Sequence, residues 1–317
     1  MRAAVYDTYG GPEQLRIEEL AHPEPGAGQV LVRVMAVGLN GSDTEFLTGR
    51  PAYARVNGLR RPRNRVLGSD IAGTVVAVGT DVAVLSVGDA VFGDIFDQRG
   101  GLAEFVVAPA KLLIKRPDGL DAVTAAALPQ NGAIAAQGLG AVEPGQKILV
   151  NGAGGAAGAW AVAMAAAKGA EVWAVDTAAK GPGLETLGAA RVLDYRTSDF
   201  ARLDQRFDII LDLFGTRGPL AIRRVLARRG RYRIVGGQLG PMLRCAFLGP
   251  LIGALSGRSM GPLMLKQSVE QQKALAAMAP GPVIDSVHDF DDVQGAFARA
   301  LSGEAVGKVI VRFPDGV

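Results

Sequence analysis

The chain has 317 residues, of which 49% are hydrophobic and 21% charged, and its formal net charge is +3. This length is sufficient for two domains of ordinary size. The single cysteine, Cys245, excludes an internal disulfide framework and is typical of a reducing compartment. The first six residues lack the apolar core of a secretory signal peptide. We therefore expect a cytoplasmic protein.

Arginines cluster between Gly49 and Gly68 and again between Arg223 and Arg233, which could indicate a nucleic-acid-binding surface. Aromatic residues for stacking are scarce around both clusters, so we interpret them as solvated faces and expect no nucleic-acid partner. The first cluster could also border a pocket for an acidic substrate. We expect no membrane partner, because only 13 residues separate Arg244 from Arg258 in the most apolar late stretch.

The predicted secondary structure differs between residues 1–120, 121–250 and 251–317. Residues 1–120 contain short β-branched runs bounded by glycine, proline and aspartate, a pattern typical of a small barrel. These runs cover 29–37, 73–79, 89–93 and 103–108. Residues 121–250 alternate apolar strands with helical patterns, which predicts a doubly wound parallel sheet and an α/β fold. Residues 251–317 end with a helix over 291–301 and a strand over 308–313.

A unit of strand, glycine loop, helix and strand lies between Lys147 and Asp176. A buried strand over 147–150 precedes the pattern Ala153-x-Gly155-x-x-Gly158, and a helix over 156–168 and a strand over 172–175 follow. Such glycines permit a tight turn, close approach of the backbone to a pyrophosphate, and close packing of helix on strand. The helix N-terminus offers free N–H groups to phosphates. The predicted dinucleotide-binding residues are Ala153, Gly155, Ala156, Ala157 and Gly158.

The acid that ends the second strand, Asp176, bears on the choice of dinucleotide. It lies 18 residues after Gly158. A carboxylate there accepts hydrogen bonds from the ribose hydroxyls and repels a 2′-phosphate, which favours NADH slightly over NADPH. Lys180, four residues on, could offset this repulsion, and Asp176 could alternatively cap the following turn.

Several short strings occur in an order and spacing that a known family shares. They are Gly38-Leu-Asn-Gly-Ser-Asp43, residues 67–79, Val87-Gly-Asp-Ala-Val-Phe-Gly93, Ala125-Ala-Ala-Leu-Pro129, the glycine loop and Gly307-Lys-Val309. On these residues the chain resembles the medium-chain dehydrogenase/reductase superfamily, in its zinc-free quinone oxidoreductase branch of the zeta-crystallin type. The resemblance implies a GroES-like β-barrel catalytic domain formed by residues 1–120 and 251–317. A Rossmann domain, residues 121–250, would be inserted between these two parts.

The metal chemistry of this superfamily can be compared with the residues present. Zinc-dependent members have a cysteine where Asn40 stands and a histidine where Ser69 stands. A catalytic zinc ion needs three protein ligands drawn from cysteine, histidine and carboxylates. This chain has one cysteine and two histidines in all, and the four-cysteine lobe of the family is missing around residues 93–103. We expect no metal, and we interpret Asp43 as a structural hydrogen-bonding acid.

Reduction of an activated acceptor, a quinone or an α,β-unsaturated carbonyl, is the chemistry that remains. A hydride then adds to an electron-poor carbon, and the developing oxyanion needs hydrogen-bond donors. The resemblance places Asn40 at this site, where its amide could donate, although Asn40 could instead be a turn residue before Gly41. Tyr53 is the nearest candidate proton donor, although it could be only a partly buried loop tyrosine, and the tyrosine that the family has a few residues after Asn40 is replaced here by Glu45. Protonation from solvent is an open alternative.

The resemblance implies further cofactor contacts in other parts of the chain. Gly236 and Gly237 would approach the nicotinamide, and Asn131 and Ile134 occupy the helix that faces its ring. Many relatives have threonine where Ile134 stands. Lys308 matches a family lysine near the cofactor. The apolar segment 239–265 is expected to form a substrate wall or a subunit contact, and we expect a homodimer.

These observations predict a zinc-independent, NAD(P)H-dependent reductase of quinones or enones. One alternative is a pathway-dedicated enoyl or tailoring reductase of biosynthesis, suggested by the arginine-rich loop at 50–65. Another is a nucleotide-binding protein without turnover. That alternative stays open because of Ile134 and the missing tyrosine, since a fold alone does not fix a function.

Overall fold

The computed structural model describes residues 1–266, 268–279 and 281–314, and backbone contacts divide them into two compact units. The first unit comprises residues 1–131, 268–278 and 284–314, and the second comprises residues 132–266, 279 and 281–283. The second unit is therefore inserted in the sequence of the first, as the resemblance implies. The divisions lie near residues 131 and 266, further along the chain than the predicted 120 and 250.

The first unit is built mainly of β-strands. Its elements before the insertion are β1 (Arg2–Val5), β2 (Arg16–Glu19), β3 (Gln29–Gly38), α1 (Gly41–Thr48), β4 (Asp70–Val78), β5 (Ala90–Asp94), β6 (Phe105–Pro109), β7 (Leu113–Lys115) and α2 (Ala122–Ala127). A third helix, α3 (Pro129–Leu139), contains the division between the units.

The second unit is a six-stranded parallel sheet with helices. Its elements are β8 (Lys147–Asn151), α4 (Ala156–Ala167), β9 (Glu171–Asp176), α5 (Gly181–Thr186), β10 (Ala189–Asp194), β11 (Phe207–Asp212), α6 (Pro219–Val225), β12 (Leu226–Ile234), α7 (Leu239–Ser256) and β13 (Ser259–Pro262). The strand order is β10-β9-β8-β11-β12-β13. Counted from β8, this is the 3-2-1-4-5-6 order of a Rossmann fold, which confirms the predicted doubly wound sheet.

The chain then returns to the first unit and completes its main sheet. The returning elements are α8 (Val269–Ala276), β14 (Ile284–Asp289), α9 (Val293–Leu301) and β15 (Lys308–Arg312). The sheet has the order β14-β15-β3-β4-β5-β7, with β6 also paired to β3. In this sheet β15 runs antiparallel to the end of β3, and Gly38 pairs with Asp70 at the start of β4. The residues that follow β3, begin β4 and begin β15 therefore come together.

Helix α7 differs from expectation. Its glycines and Pro250 disfavour a continuous helix, yet residues 239–256 form one helix of 18 residues. Cys245, Gly249 and Gly253 are its buried positions, and the helix packs on β13. A Cβ at Gly249 would lie 3.2 Å from the carbonyl oxygen of Met260, so tertiary packing at this small residue outweighs its low helix propensity. Among the described helices, only α7 is long and apolar enough to cross a membrane, by length and composition.

Candidate functional site

The first unit holds a cluster of buried polar side chains where β3, β4 and β15 meet. Its members are Asn40, Asp43, Ser69, Asp70, Asn131 and Lys308. Three of them, Asn40, Asn131 and Lys308, were predicted as site residues. Because buried polar groups are costly without partners, a cluster of this size requires nearly complete internal hydrogen bonding.

An ion pair between Lys308 and Asp70 lies at the centre of the cluster. The Lys308 Nζ is 2.8 Å from Asp70 Oδ2, and the side chains are 1% and 0% exposed. The backbone N–H of Gln130 also donates to the Asp70 carboxylate, at 3.2 Å. Burial raises the pKa of Asp70, and the Lys308 ammonium opposes that rise. Each ion thus depends on the other, since an unpaired charge in this position would be strongly unfavourable.

Lys308 also fixes the orientation of the Asn40 amide. Its Nζ lies 2.6 Å from Asn40 Oδ1, and the Asn131 Nδ2 donates to the same oxygen at 3.3 Å. An ammonium group has only donors, so the Asn40 atom that faces it must be the oxygen. The Asn40 Nδ2 therefore points the other way and donates to Ser69 Oγ at 3.1 Å. The Asn40 side chain also hydrogen-bonds the Asp70 carboxylate, so its amide hydrogens are held within the cluster.

Asp43 holds the backbone of this cluster in place. Its carboxylate accepts the N–H groups of Asn40 at 2.8 Å and Gly68 at 2.9 Å. Burial raises the pKa of Asp43 to about 6, against the opposing effect of these two hydrogen bonds. The structural role predicted for Asp43 agrees with these contacts.

Tyr53 lies elsewhere in the first unit, in a short helical segment at 52–57. Its hydroxyl donates to Glu45 Oε1 at 2.9 Å, and no hydrogen bond within the described residues joins it to Asn40. Burial and the Glu45 carboxylate raise the pKa of Tyr53, which makes it a weaker acid. The hydroxyl proton is thus committed to Glu45, so the catalytic role of Tyr53 stays a prediction.

In the second unit, the glycine loop joins β8 to α4. Gly152 adopts φ +80°, and its N–H and that of Ala153 donate to the carbonyl of Val175. Gly155, which has no side chain, is the N-cap of α4, so the following N–H groups of Ala156 and Ala157 face the loop uncapped. This arrangement fits a bound pyrophosphate, for which such N–H groups are the usual donors.

Gly158 and Gly155 differ in how closely they are packed. A Cβ at Gly158 would lie 2.3 Å from the carbonyl oxygen of Gly152, so only glycine lets α4 approach the loop. A Cβ at Gly155 would meet nothing closer than 3.5 Å. Gly158 is therefore needed for packing, whereas the space beside Gly155 is available to a ligand.

Asp176 and Lys180 form a pair beside this loop. Asp176 Oδ2 accepts the N–H of Gly154 at 2.7 Å, and Oδ1 accepts that of Thr177 at 2.9 Å. The Lys180 Nζ lies 3.0 Å from Asp176 Oδ1, and both side chains are buried. The acid is thus a turn-capping residue and also a partner of the loop, and much of its charge is compensated by Lys180.

Gly236 and Gly237 follow β12 and contact the end of β11. Gly215 donates its N–H to the carbonyl of Gly236, and Gly237 adopts φ +122°. A Cβ at Gly237 would lie 2.4 Å from the backbone of Gly215. The carboxyl ends of parallel strands share one edge of the sheet, so these glycines lie on the same edge as the glycine loop.

A buried network at this edge was missed from the sequence. The Asn151 Nδ2 donates to Asp212 Oδ1 at 2.7 Å, and the Tyr232 hydroxyl donates to Asp212 Oδ2 at 2.9 Å. Burial raises the pKa of Asp212. These hydrogen bonds connect β8, β11 and β12 at the point where the strand order reverses. The polar residues that end β8 and β11 were the available signal. Ile134, one turn after Asn131 on α3, is half-buried and has no polar group to contribute.

The residues present do not fit a zinc ion. Among the described residues, no group of three histidine, cysteine, aspartate or glutamate side chains could hold a metal. At the position of the family's zinc-ligating cysteine, Asn40 contacts the Lys308 ammonium, and a second cation beside it would be repelled.

Comparisons with known proteins agree with this architecture. The family model for the alcohol dehydrogenase GroES-like domain matches residues 26–118, and that for zinc-binding dehydrogenase matches residues 187–311. The chain is 31% identical to a chloroplast envelope quinone oxidoreductase homolog of Arabidopsis thaliana, over 98% of both chains. It is 33% identical to an NADPH-dependent alkenal/one oxidoreductase of the same plant, over 98% of this chain and 79% of the relative.

Among solved structures, the quinone oxidoreductase from Coxiella burnetii matches with a TM-score of 0.85 and 25% identity, over 98% of this chain and 99% of that one. Strand order, inserted domain and sequence relatives therefore lead to one conclusion. The chain belongs to the medium-chain dehydrogenase/reductase superfamily, in its quinone oxidoreductase-like branch.

Proposed function

We propose that the protein is an NAD(P)H-dependent reductase that transfers a hydride to a quinone or an α,β-unsaturated carbonyl without a zinc ion. The observation that carries this proposal is the oriented amide of Asn40, with its oxygen on Lys308 and its nitrogen turned away. The names of the relatives, quinone oxidoreductase and alkenal/one oxidoreductase, support the substrate class.

The second unit would hold the cofactor, which supplies the hydride when bound. The pyrophosphate fits the uncapped N–H groups after Gly155, and the adenosine ribose fits the edge at Asp176. Gly236 and Gly237 leave backbone exposed to a nicotinamide, and Asn131 and Ile134 are proposed to face its ring. A cofactor contact of Lys308 itself is still a prediction.

Asn40 would act on the substrate oxygen that gains negative charge. Its amide Nδ2 would be the donor, and the charge-assisted bond from Lys308 to Oδ1 polarises the amide and strengthens that donor. Such preorganised donors are a main source of rate enhancement when an oxyanion develops. The proton that completes the reduction would come from solvent or from Tyr53.

Oxidation of NADPH and NADH by the purified protein tests this function. We expect the absorbance of the reduced nicotinamide to fall with a small quinone and with an open-chain enone. We expect no rise in that absorbance when the protein is given the oxidised cofactor and a saturated alcohol. Tight nucleotide binding without turnover on any acceptor would instead support a binding protein and contradict the proposal.

For the cofactor, we propose acceptance of both nucleotides with a modest preference for NADH. Asp176→Ser should shift the preference towards NADPH, because a carboxylate that repels the 2′-phosphate is removed. Lys180→Met should shift it towards NADH, because the compensating ammonium is lost. Each shift is expected to be about tenfold or less, which corresponds to ~1.4 kcal/mol. Fluorescence titrations of both variants check this, and an unchanged preference in both would remove the pair from selectivity.

A cytoplasmic location, a homodimer and the lack of a nucleic-acid partner are also proposed. They rest on the sequence and on the family resemblance. Light scattering of the purified protein would decide the oligomeric state.

A further inference from the structure

A loop of the first unit carries arginines that have no acidic partner. Residues 46–69 contain six arginines and neither aspartate nor glutamate. Arg65 forms ion pairs with Asp7 and Glu18, whereas the other five form no ion pair with a carboxylate among the described residues. We call these five the loop arginines: Arg50, Arg55, Arg60, Arg61 and Arg63. All except Arg55 are exposed, so the loop presents uncompensated positive charge to solvent.

Tyr9 holds this loop in a compact turn. Its hydroxyl donates to the carbonyl of Gly58, and the Arg55 guanidinium lies over its ring, 4.9 Å from the centroid. The Arg55 Nε donates to the carbonyl of Gly49 at 3.1 Å. A Cβ at Gly58 would lie 1.9 Å from the carbonyl oxygen of Arg61, so the chain folds back tightly between these two residues. The loop arginines are therefore brought near one another by contacts within the protein.

The charge of this loop selects the class of ligand. Like charges that lie close together repel each other, and a bound anion would relieve that repulsion. Arginine is the cation whose planar group matches phosphate with two parallel hydrogen bonds. Single-stranded nucleic acid would also need aromatic rings on which bases stack. The tyrosines of this region, Tyr9 and Tyr53, instead pack against the hydrophobic core. The loop therefore fits a small ligand that carries several phosphates.

The loop lies one helix length from the proposed catalytic amide. Asn40 is the N-cap of α1, and Gly49 is its C-cap. A helix of eight residues is about 12 Å long. A Cβ at Gly49 would lie 2.7 Å from the ring of Tyr9, so the compact turn lies at the far end of α1. A small acidic enone is too short to contact both Asn40 and this turn. The anionic group must therefore be at the end of a long arm.

We propose that the loop arginines bind the phosphates of coenzyme A, and that the acceptor is an α,β-unsaturated acyl thioester of coenzyme A. This inference rests on the proposed reductase function and names its substrate class. The thioester oxygen lies at Asn40, and the pantetheine arm, which is longer than α1, reaches the loop. Coenzyme A carries three phosphates and a carrier-bound pantetheine only one, so coenzyme A suits five cations better.

The reduction of such a thioester is balanced without a further reactant. The β-carbon accepts a hydride from the reduced nicotinamide, which is thereby oxidised by two electrons. The electron pair of the carbon–carbon double bond moves to the thioester oxygen and forms an enolate. A solvent proton then adds to the α-carbon, and the saturated thioester is released.

Initial rates with three acceptors test the inference: crotonoyl-coenzyme A, crotonoyl-N-acetylcysteamine and an open-chain enone. The two thioesters share the reacting group, and only the first has phosphates. We expect the KM of crotonoyl-coenzyme A to be lower than that of the other thioester by on the order of tenfold or more, and to rise with salt.

The double variant Arg60→Ser, Arg61→Ser should raise the KM of crotonoyl-coenzyme A by about tenfold, because charge-assisted hydrogen bonds to phosphate are lost. Its rates with crotonoyl-N-acetylcysteamine and its thermal unfolding should equal those of wild type, since both side chains are exposed. Arg223→Ser with Arg224→Ser is the matched control. It removes the same charge from exposed positions of the second unit and should keep the wild-type KM for every acceptor.

Equal KM values for the two thioesters, or an equal rise in KM in both double variants, would overturn the inference. So would equal KM values for crotonoyl-coenzyme A and crotonoyl-4′-phosphopantetheine, which would indicate a carrier-bound substrate. Reduction of the open-chain enone without reduction of either thioester would overturn the inference and leave the proposed function in place. Reduction of none of the acceptors would contradict both.

Discussion

Replacing Lys308 with methionine is expected to lower the free energy of unfolding by about 3–5 kcal/mol, because Asp70 would be left as an unpaired buried charge. The two side chains are 1% and 0% exposed, so water cannot replace the lost ammonium. Urea unfolding of Lys308→Met and wild type measures the difference. A variant as stable as wild type would show that the ion pair is not the main partner of Asp70.

The double variant Lys308→Met, Asp70→Leu separates stability from catalysis. Replacing both ions by apolar groups of similar volume is often nearly neutral for stability. We expect the double variant to recover most of the stability that Lys308→Met loses. We expect its turnover to remain about 10²-fold below that of wild type, because Asn40 has lost the donor that orients its oxygen. Recovery of turnover together with stability would contradict the orienting role of Lys308.

Alanine at Gly158 is expected to lower mainly the stability of the protein, whereas alanine at Gly155 is expected to weaken mainly nucleotide binding. Gly158→Ala forces a Cβ to within 2.3 Å of the Gly152 carbonyl oxygen, so the loop and α4 must separate, at about 2–3 kcal/mol of stability. Gly155→Ala should cost at most about 1 kcal/mol of stability, because alanine is a poorer N-cap than glycine. It should weaken NADPH and NADH binding by about tenfold, because the methyl group occupies space for the pyrophosphate. Urea unfolding and nucleotide titration measure the two effects.

Gly181→Ala is the matched control for this pair. A Cβ at Gly181 meets nothing within 4 Å, and the residue has a helical φ, so alanine should be neutral or slightly stabilising. If Gly155→Ala destabilised the protein and bound nucleotide normally, the glycine loop would have only a structural role.

The fold could be predicted from the sequence because its local signals agree with one another. The apolar run at 147–150, the glycines after it and the acid at 176 correspond to β8, the loop and the end of β9. Helix α7 was not predicted, since Gly249 and Pro250 disfavour a helix locally and only packing on β13 explains it.

Three of the six members of the buried polar cluster were predictable as site residues, but their contacts were not. Asn40 and Lys308 are 268 positions apart, and no spacing rule relates them. Their contact follows from the pairing of β15 with β3, which is a property of the folded sheet. Lys180 was predictable, because a lysine four residues after Asp176 is within reach of it. The Asn151–Asp212–Tyr232 network depends on the order of β8, β11 and β12, which a single strand pattern does not contain.

Transfer of deuterium from a reduced cofactor that carries deuterium at both C4 positions is the most direct test of zinc-independent hydride transfer. The metal content of chelator-treated protein is first measured, and the product of an enone is then examined by mass spectrometry. We predict one deuterium on the β-carbon of the saturated product, formed at the same rate before and after chelation. An unlabelled product, or activity that is lost on chelation and restored by zinc, would contradict direct, zinc-independent hydride transfer.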